Sequence, residues 1–557
     1  MISLGAMPGR AIAVLLGLAL TALPGQAAER LTLSYGLLER SITLQTLEKY
    51  ANSGELDNDL SVYTSYVKSE QRDQLRKALS LKSDLSPVAV SQFLYSPQGD
   101  ILLKRLGQLI QPESRDNGSL AIRAALILAA DDPEGLTPLN VLRRFPTRGI
   151  RVDLQKTLAL VGELDAIVGR TNRVSKAIAK QADAEAIAAP LTNPALMAKL
   201  ANRGKQIVRK QTLNLVDNGR VTVTGFVKPR AFSADLYLPS GRQSRKLPLI
   251  VISHGLGSNL TTFQYLAEHL ASHGFAVAMP EHTGSNTKQM QALVSGLAAE
   301  AATPSEFVDR PLDVKFLLDE LGRRGFGTLD LTRVGMLGQS FGGYTSLALS
   351  GAPINFSRLE EACTTEKQVN TFNISLLLQC RAGTLPKKDY NLSDPRIAAS
   401  LAINPITSVV LGEAGLQRVK VPTMIVTGNA DTVAPALPEQ IVPFSWLGSQ
   451  DRYLVQVDRS THFSFLGEEE KGNDPLPVPT EVLGPTPEVT RQYMRALSVA
   501  FFRTHLLNQP GFRQYLTAAY GRAITQDPLR VDIIKSIDGG ILKGDRSQDW
   551  VLALAEP

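Results

Sequence analysis

One serine lies in a sequence context that exposes a hydroxyl for attack on a carbonyl carbon. Residues 338–342 read Gly-Gln-Ser-Phe-Gly, which fits G-x-S-x-G with Ser340 at the centre. A mostly apolar run typical of a strand precedes this motif, and an apolar segment typical of a helix follows it. The two glycines allow a sharp strand-to-helix turn. The pattern therefore predicts that Ser340 is a nucleophile for acyl chemistry.

A serine nucleophile needs a general base and an acidic residue that orients that base. Asp431 and His462 follow Ser340 in the order expected of a strand–turn–helix serine site. Each lies directly after a predicted strand, at the sheet edge where open α/β sheets place their sites. We expect His462 to take the proton of Ser340 and Asp431 to orient His462. Asp458 is the alternative acid, but it shares a loop with His462 and has no strand end of its own.

Two backbone N–H groups are needed to stabilise the oxyanion that such an attack creates. The residue after the nucleophile, Phe341, is expected to supply one of them. Leu256 is expected to supply the other, because it lies in a glycine-rich loop after the apolar run 247–253. That loop is not followed by the G-K-[ST] of a phosphate-binding loop, so we favour an oxyanion site.

Four further residues are candidates for lining a substrate pocket: His254, Gly255, Gly257 and His282. For His254, support of the loop through hydrogen bonds is the preferred alternative role. His282 follows the end of another predicted strand, and an ordinary surface loop is equally compatible with its position.

No metal and no organic cofactor is expected. His269 and His273 have the i, i+4 spacing that can bind zinc on a helix. However, Glu268 precedes His269, so the H-E-x-x-H pattern is not matched. His273 is followed by Gly274, which is typical of the C-terminus of a helix.

The chain has two cysteines, Cys363 and Cys380, both in an insert at 353–398 between the serine motif and Asp431. In an exported protein such a pair favours a disulfide over two free thiols. We interpret the insert as a cap over the pocket, and a plain surface excursion is the alternative.

Residues 1–28 are predicted to be a signal peptide. Arg10 precedes an apolar stretch at 11–23, and small residues offer a cleavage site after Ala27 or Ala28. We therefore expect an exported protein, periplasmic or extracellular, with an uncleaved N-terminal anchor as the alternative.

The remaining segments follow from hydrophobic periodicity and composition. Helical spacing predicts a small all-α domain at 29–158 and a helical linker at 159–208. Alternating strands and helices at 209–510 predict an α/β domain with a mostly parallel sheet, followed by a C-terminal extension at 511–557.

Composition excludes two broad classes. With 43% hydrophobic residues among 557, disorder of the whole chain is excluded. Lys and Arg number 59 against 53 Asp and Glu, an excess too mild and too dispersed for nucleic-acid binding. A loose contact with a membrane surface is compatible with this balance, and the oligomeric state is open.

Three motifs resemble known hydrolases. Residues 252–257, 270–275 and 338–343 resemble plasma-type platelet-activating-factor acetylhydrolase and bacterial hydrolases described as dienelactone-hydrolase-like. The likeness covers about 210–510 and implies an α/β-hydrolase fold. It also implies that Ser340 and His462 are catalytic, with Leu256 and Phe341 as oxyanion donors. The N-terminal region resembles an uncharacterised domain that precedes such hydrolases in exported bacterial proteins.

This chain departs from both families. Plasma-type acetylhydrolases place the acid after an earlier strand, where this chain has Asn404, and dienelactone hydrolases use a cysteine where this chain has Ser340. We expect an exported serine hydrolase that cleaves short-chain or lipid-type carboxylic esters through an acyl-enzyme. An acyltransferase using the same intermediate and a non-catalytic envelope-binding module are the alternatives.

Overall fold

The structure is a computed structural model that describes residues 28–543, except for 57–59, 62–68, 84, 192–198, 242–244 and 468–481. The predicted signal peptide therefore lies outside the described residues, apart from Ala28. The chain divides into two compact units, Met1–Gly162 and Glu163–Pro557.

The first unit combines helices with a four-stranded sheet, which corrects the expectation of helices alone. The sheet order is β2-β1-β4-β3, with β1 parallel to β4 and the other pairs antiparallel. The strands are β1 (Arg30–Tyr35), β2 (Leu38–Thr43), β3 (Ile110–Pro112) and β4 (Gly149–Asp153). The helices are Leu44–Ser53, Ser69–Leu79, Pro87–Tyr95, Pro97–Leu109, Ser119–Ala130 and Pro138–Arg143.

Helix starts in this unit follow from local sequence. Ser86, Ser96 and Thr137 each accept a hydrogen bond from a backbone N–H in the first turn of a helix that begins with proline. Leu103, Ala125 and Ile150 are almost fully buried in the core. The hydrophobic pattern of the sequence does not reveal these strands, because they are short and only partly buried.

The second unit is built on a nine-stranded sheet in the order β13-β12-β11-β10-β9-β7-β8-β6-β5. Six central strands are parallel, and β5, β6 and β13 add antiparallel edges. The strands are β5 (Val208–Asp217), β6 (Arg230–Pro239), β7 (Leu247–Ser253), β8 (Ala276–Pro280), β9 (Leu329–Gln339), β10 (Ile397–Ile403), β11 (Thr423–Gly428), β12 (Arg452–Val457) and β13 (Val531–Ile534).

Helices cover both faces of this sheet, which explains the continuous apolar runs of its central strands. In β7, Leu249 packs in the same cluster as Leu317 of one helix, whereas Ile250 packs with Phe502 of another. The helices are Gln264–Ser272, Thr287–Val294, Glu306–Arg323, Phe341–Leu349, Phe356–Ala362, Thr365–Asn370, Ile374–Gln379, Gly412–Leu416, Val442–Trp446, Pro487–His505 and Ala518–Ile524. Short segments of 3-10 helix (Cys380–Thr384, Pro510–Leu516) and π-helix (Leu437–Ile441) complete the unit.

Two segments predicted to lie outside the α/β domain are part of the core and of the sheet of the second unit. The predicted linker forms most of the helix Leu154–Ala188, and its Val174 and Ile178 are buried in the core of this unit. The predicted C-terminal extension supplies β13, which pairs with β12. A four-residue strand has no periodicity that the sequence could reveal. Within the described part of the chain, no helix is both long and apolar enough to cross a bilayer.

Candidate active site

Ser340 lies on a strained turn between β9 and the helix Phe341–Leu349. Its backbone angles are φ 56° and ψ −116°, a conformation that is costly for a residue with a Cβ atom. The turn is tight, because a Cβ on Gly338 would lie 2.0 Å from the carbonyl oxygen of Gly342. A Cβ on Gly342 would lie 2.0 Å from the carbonyl oxygen of Ser253. Both positions therefore require glycine, and the turn lies against the end of β7.

Asp431 and His462 are brought together at the ends of β11 and β12. His462 Nδ1 donates a hydrogen bond to Asp431 Oδ2 over 2.7 Å. Asp431 Oδ1 accepts from the backbone N–H groups of Val433 and Ala434, each over 2.8 Å. The Asp431 side chain is fully buried and that of His462 is 5% exposed. With the Nδ1 proton donated to Asp431, Nε2 is the ring nitrogen that can accept a hydrogen bond.

Side chains from neighbouring strand ends hold the loop that carries His462. Gln339, the residue before Ser340, donates to the carbonyl oxygen of His462 over 3.1 Å. Asn404, after β10, donates to the carbonyl oxygen of Thr461 over 3.2 Å and accepts from the N–H of Gly428 over 3.1 Å. Asn404 is fully buried, with a φ of 41°. Its supporting role was not predicted, because the sequence marked this position only as one without an acid.

The alternative acid, Asp458, is differently placed. It accepts a hydrogen bond from Asn429 over 2.6 Å, and its side chain is 40% exposed. Among the described residues, no hydrogen bond joins Asp458 to His462. The geometry therefore favours Asp431 as the partner of His462.

The candidate oxyanion donors, the N–H groups of Leu256 and Phe341, have no acceptor among the described residues. Phe341 begins its helix, so its N–H has no acceptor within the helix and lies at the positive end of the helix dipole. In the part of the chain that the structure describes, neither N–H donates to a protein acceptor. The contact between Gly342 and Ser253 places the start of this helix beside the loop that carries Leu256.

His254 and His282 support the loop that carries Leu256 through hydrogen bonds. His254 Nδ1 donates to the carbonyl oxygen of Gly255 over 2.8 Å, and its Nε2 accepts from the N–H of His282 over 3.0 Å. His282 lies between Ser253 Oγ at 2.9 Å and Asp313 Oδ2 at 3.1 Å. Burial, and then the charge of a nearby arginine, lowers the pKa of His282 to about 4 and that of His254 well below its usual value.

Burial therefore disfavours the protonated form of both imidazoles. His282 is fully buried and His254 is 2% exposed. That they line a substrate pocket stays a prediction. Gly255 and Gly257 lie in the loop itself. A Cβ on Gly255 would lie 2.4 Å from Gln339 Oε1, and one on Gly257 would lie 3.1 Å from Met290 Cγ.

The insert at 353–398 contains a disulfide and packs against the segment that follows Asp431. Cys363 and Cys380 are bonded, as the sequence favoured. The N–H of Ser375 donates to the carbonyl oxygen of Val433 over 2.8 Å, two residues beyond Asp431. A capping role for the insert remains a prediction.

Within the described residues, no group of three or more His, Cys, Asp or Glu side chains could hold a metal ion. His269 and His273 each hydrogen-bond a backbone carbonyl oxygen, those of Leu200 and Asn202, over 2.9 and 3.0 Å. These two rings therefore have structural partners.

Comparisons with known proteins agree with this architecture. Residues 27–153 match the family model "alpha/beta hydrolase of unknown function (DUF1400)", and residues 238–303 match that of platelet-activating factor acetylhydrolase, isoform II. The platelet-activating factor acetylhydrolase of Cavia porcellus is 28% identical over 142 residues, covering 19% of this chain. The match spans 32% of that relative. The chain thus has an α/β-hydrolase fold and resembles platelet-activating factor acetylhydrolase.

Proposed function

We propose that this protein is a serine hydrolase that cleaves carboxylic esters through an acyl-enzyme intermediate. The observation that carries the proposal is the placement of Ser340 on a strained turn, with a hydrogen-bonded Asp431–His462 pair two and three strands away in the same sheet. These are the groups that acyl transfer at a serine requires.

Each group has a step to perform. His462 Nε2 takes the proton of Ser340 as Oγ attacks the ester carbonyl carbon, and the N–H groups of Leu256 and Phe341 stabilise the oxyanion. His462 then protonates the leaving alcohol, and Asp431 stabilises the imidazolium in between. Water activated by His462 releases the acid and regenerates Ser340.

We infer that the substrates are short-chain acyl or lipid-type esters. The name of the Cavia porcellus relative supports an acetyl-sized acyl group. Apolar side chains near the candidate site support an apolar substrate: the Phe463 ring lies edge-on, 5.4 Å from the His462 ring. No metal or cofactor enters the proposal.

We further propose that the protein is exported. The N-terminal apolar stretch is typical of a signal peptide, and the Cys363–Cys380 disulfide fits an oxidising compartment. Fractionation of the producing cells, with a cytoplasmic marker as control, tests this directly.

The proposal is tested by hydrolysis of p-nitrophenyl esters from acetate to palmitate, with wild type and Ser340→Ala. We expect turnover that favours short chains and is lost in Ser340→Ala, whereas the buried Ser346→Ala in the following helix stays active. An added alcohol that diverts most acyl groups from water would favour an acyltransferase. A folded wild type that cleaves no ester would favour a binding role.

A further inference from the structure

Arg310 is a fully buried cation whose hydrogen bonds go to the backbone of the loop that carries Leu256. Its Nη1 donates to the carbonyl oxygen of His254 over 2.7 Å, and Nη2 donates to that of Gly255 over 3.2 Å. Its Nε donates to Ser285 Oγ over 2.8 Å. One side chain thus fixes two consecutive carbonyl groups.

Holding the carbonyl of Gly255 determines where the N–H of Leu256 points. The two groups belong to the same trans peptide, which is planar, so its C=O and N–H point in opposite directions. The carbonyl oxygen of Gly255 accepts hydrogen bonds from Arg310 Nη2 over 3.2 Å and from His254 Nδ1 over 2.8 Å. With the oxygen fixed towards Arg310, the N–H of Leu256 is directed away from it.

Arg310 also contacts the residue that carries the second N–H. Its guanidinium carbon lies 4.3 Å from the centre of the Phe341 ring, a cation–π distance. The Phe341 ring also packs against the Phe307 ring, with ring centres 4.7 Å apart. Arg310 therefore contacts the loop that carries Leu256 and the side chain of Phe341, the two residues with the candidate oxyanion donors.

Among the described residues, no carboxylate forms a short ion pair with Arg310. The nearest carboxylate, Glu306, lies 3.9 Å from Arg310 Nε. Glu306 accepts hydrogen bonds from Ser285 over 2.6 Å and Arg230 over 2.9 Å. Burying an arginine on neutral oxygens costs free energy.

We propose that Arg310 is a positioning residue that holds the N–H groups of Leu256 and Phe341 in oxyanion-binding geometry. The inference rests on the proposed ester hydrolysis. Its consequence is selective: loss of Arg310 weakens binding of the tetrahedral intermediate and leaves binding of the ground-state ester almost unchanged.

The test compares Arg310→Met, Arg310→Lys and the matched control Arg220→Met. Arg220 is also buried, with 4% of its side chain exposed, but its hydrogen bonds go to Asp217, Asp309 and Asp313 and not to the loop that carries Leu256. We measure kcat and KM for the best ester, and Ki for a trifluoromethyl ketone that forms a tetrahedral adduct. Circular dichroism and thermal unfolding establish that each variant is folded. Arg310→Lys retains the buried charge. If Arg310→Met does not fold, the kcat and Ki of Arg310→Lys still test the proposal.

We expect kcat to fall about 10- to 100-fold in Arg310→Met and less in Arg310→Lys, with KM changed less than about threefold. The ketone Ki should rise by the same factor as kcat/KM falls. Arg220→Met should leave both constants near wild type. A folded Arg310 variant with wild-type kcat and Ki, beside an active wild type, overturns this inference alone. A wild type that neither turns over an ester nor binds the ketone overturns the proposed function, and this inference with it.

Discussion

His462 Nδ1 donates to Asp431 Oδ2 over 2.7 Å, across the ends of two adjacent parallel strands. The two backbone N–H groups on Asp431 Oδ1 leave the carboxylate a single orientation towards the imidazole. With Nδ1 engaged by Asp431, Nε2 is the ring nitrogen that the proposed mechanism assigns to proton exchange with Ser340.

Asp431→Asn tests the role of that pair. The amide can still accept from Val433 and Ala434, but it favours the wrong imidazole tautomer, so we expect kcat to fall about 10⁴-fold with little change in thermal stability. The matched control is Asp458→Asn, which should stay within about twofold of wild type. Equal losses of kcat in the two variants, or a loss confined to Asp458→Asn, would contradict the assignment of Asp431 as the acid that orients His462.

Ser340→Gly should be more stable than Ser340→Ala. The positive φ of this residue strains any side chain with a Cβ, and glycine relieves that strain at a smaller cost in unfolded-state entropy. We expect a difference of about 1 kcal/mol in the free energy of unfolding, measured by urea denaturation. An alanine variant at least as stable as the glycine variant would argue that the turn is not strained.

Asn404→Ala should impair both stability and turnover. It leaves the buried N–H of Gly428 and carbonyl of Thr461 without their partner, which costs about 1–3 kcal/mol. Because the loop of His462 loses a support, we expect kcat to fall about tenfold. The control Asn355→Ala removes a helix N-cap and should lower the melting temperature without changing kcat. Similar kcat values for Asn404→Ala and Asn355→Ala would contradict a supporting role of Asn404 in the site.

Acidification should destabilise the protein between about pH 6.5 and pH 4. An unfolded histidine has a pKa near 6.5, whereas burial lowers the pKa of His282 and of His505 to about 4. In this window the unfolded state binds more protons, so the stability present above pH 6.5 is lost as the pH falls. For fully buried His282 the slope approaches about 1.4 kcal/mol per pH unit. Urea denaturation from pH 7.5 to pH 4.5 measures it, and a free energy of unfolding that stays constant would contradict the buried neutral state.

Removing the disulfide should lower stability with little effect on folded structure. Cys363 and Cys380 are 17 residues apart, and closing a loop of that length contributes about 3 kcal/mol in the chain-entropy model. Cys363→Ser/Cys380→Ser should therefore unfold at lower urea concentration than wild type. Added reductant should shift the wild type to the same midpoint and leave the double variant unchanged. Coincident midpoints without reductant would show that the bond adds no stability.

Short-range patterns made much of the second unit predictable. The G-x-S-x-G motif between a strand and a helix located Ser340, and alternating strands and helices predicted an α/β domain with a mostly parallel sheet. The resemblance of three motifs to known hydrolases implied the α/β-hydrolase fold, which is confirmed. The pairing of Asp431 with His462 was predictable because parallel strands end at the same sheet edge. Their catalytic roles stay predictions until they are measured.

Long-range contacts were not predictable. Arg310 reaches the carbonyl of His254 from 56 residues away, and Asn404 reaches that of Thr461 from 57 residues away. Neither contact has a local signature. Short strands were missed for a related reason: β3 has three residues and β13 has four, too few for an alternation to appear.

The most direct test of the central claim is covalent labelling with an alkyl fluorophosphonate, followed by peptide mass spectrometry. We expect one adduct, on Ser340, that is absent from Ser340→Ala and forms far more slowly in Asp431→Asn. An adduct on another serine, or none on a folded protein that cleaves esters, would contradict the proposed nucleophile.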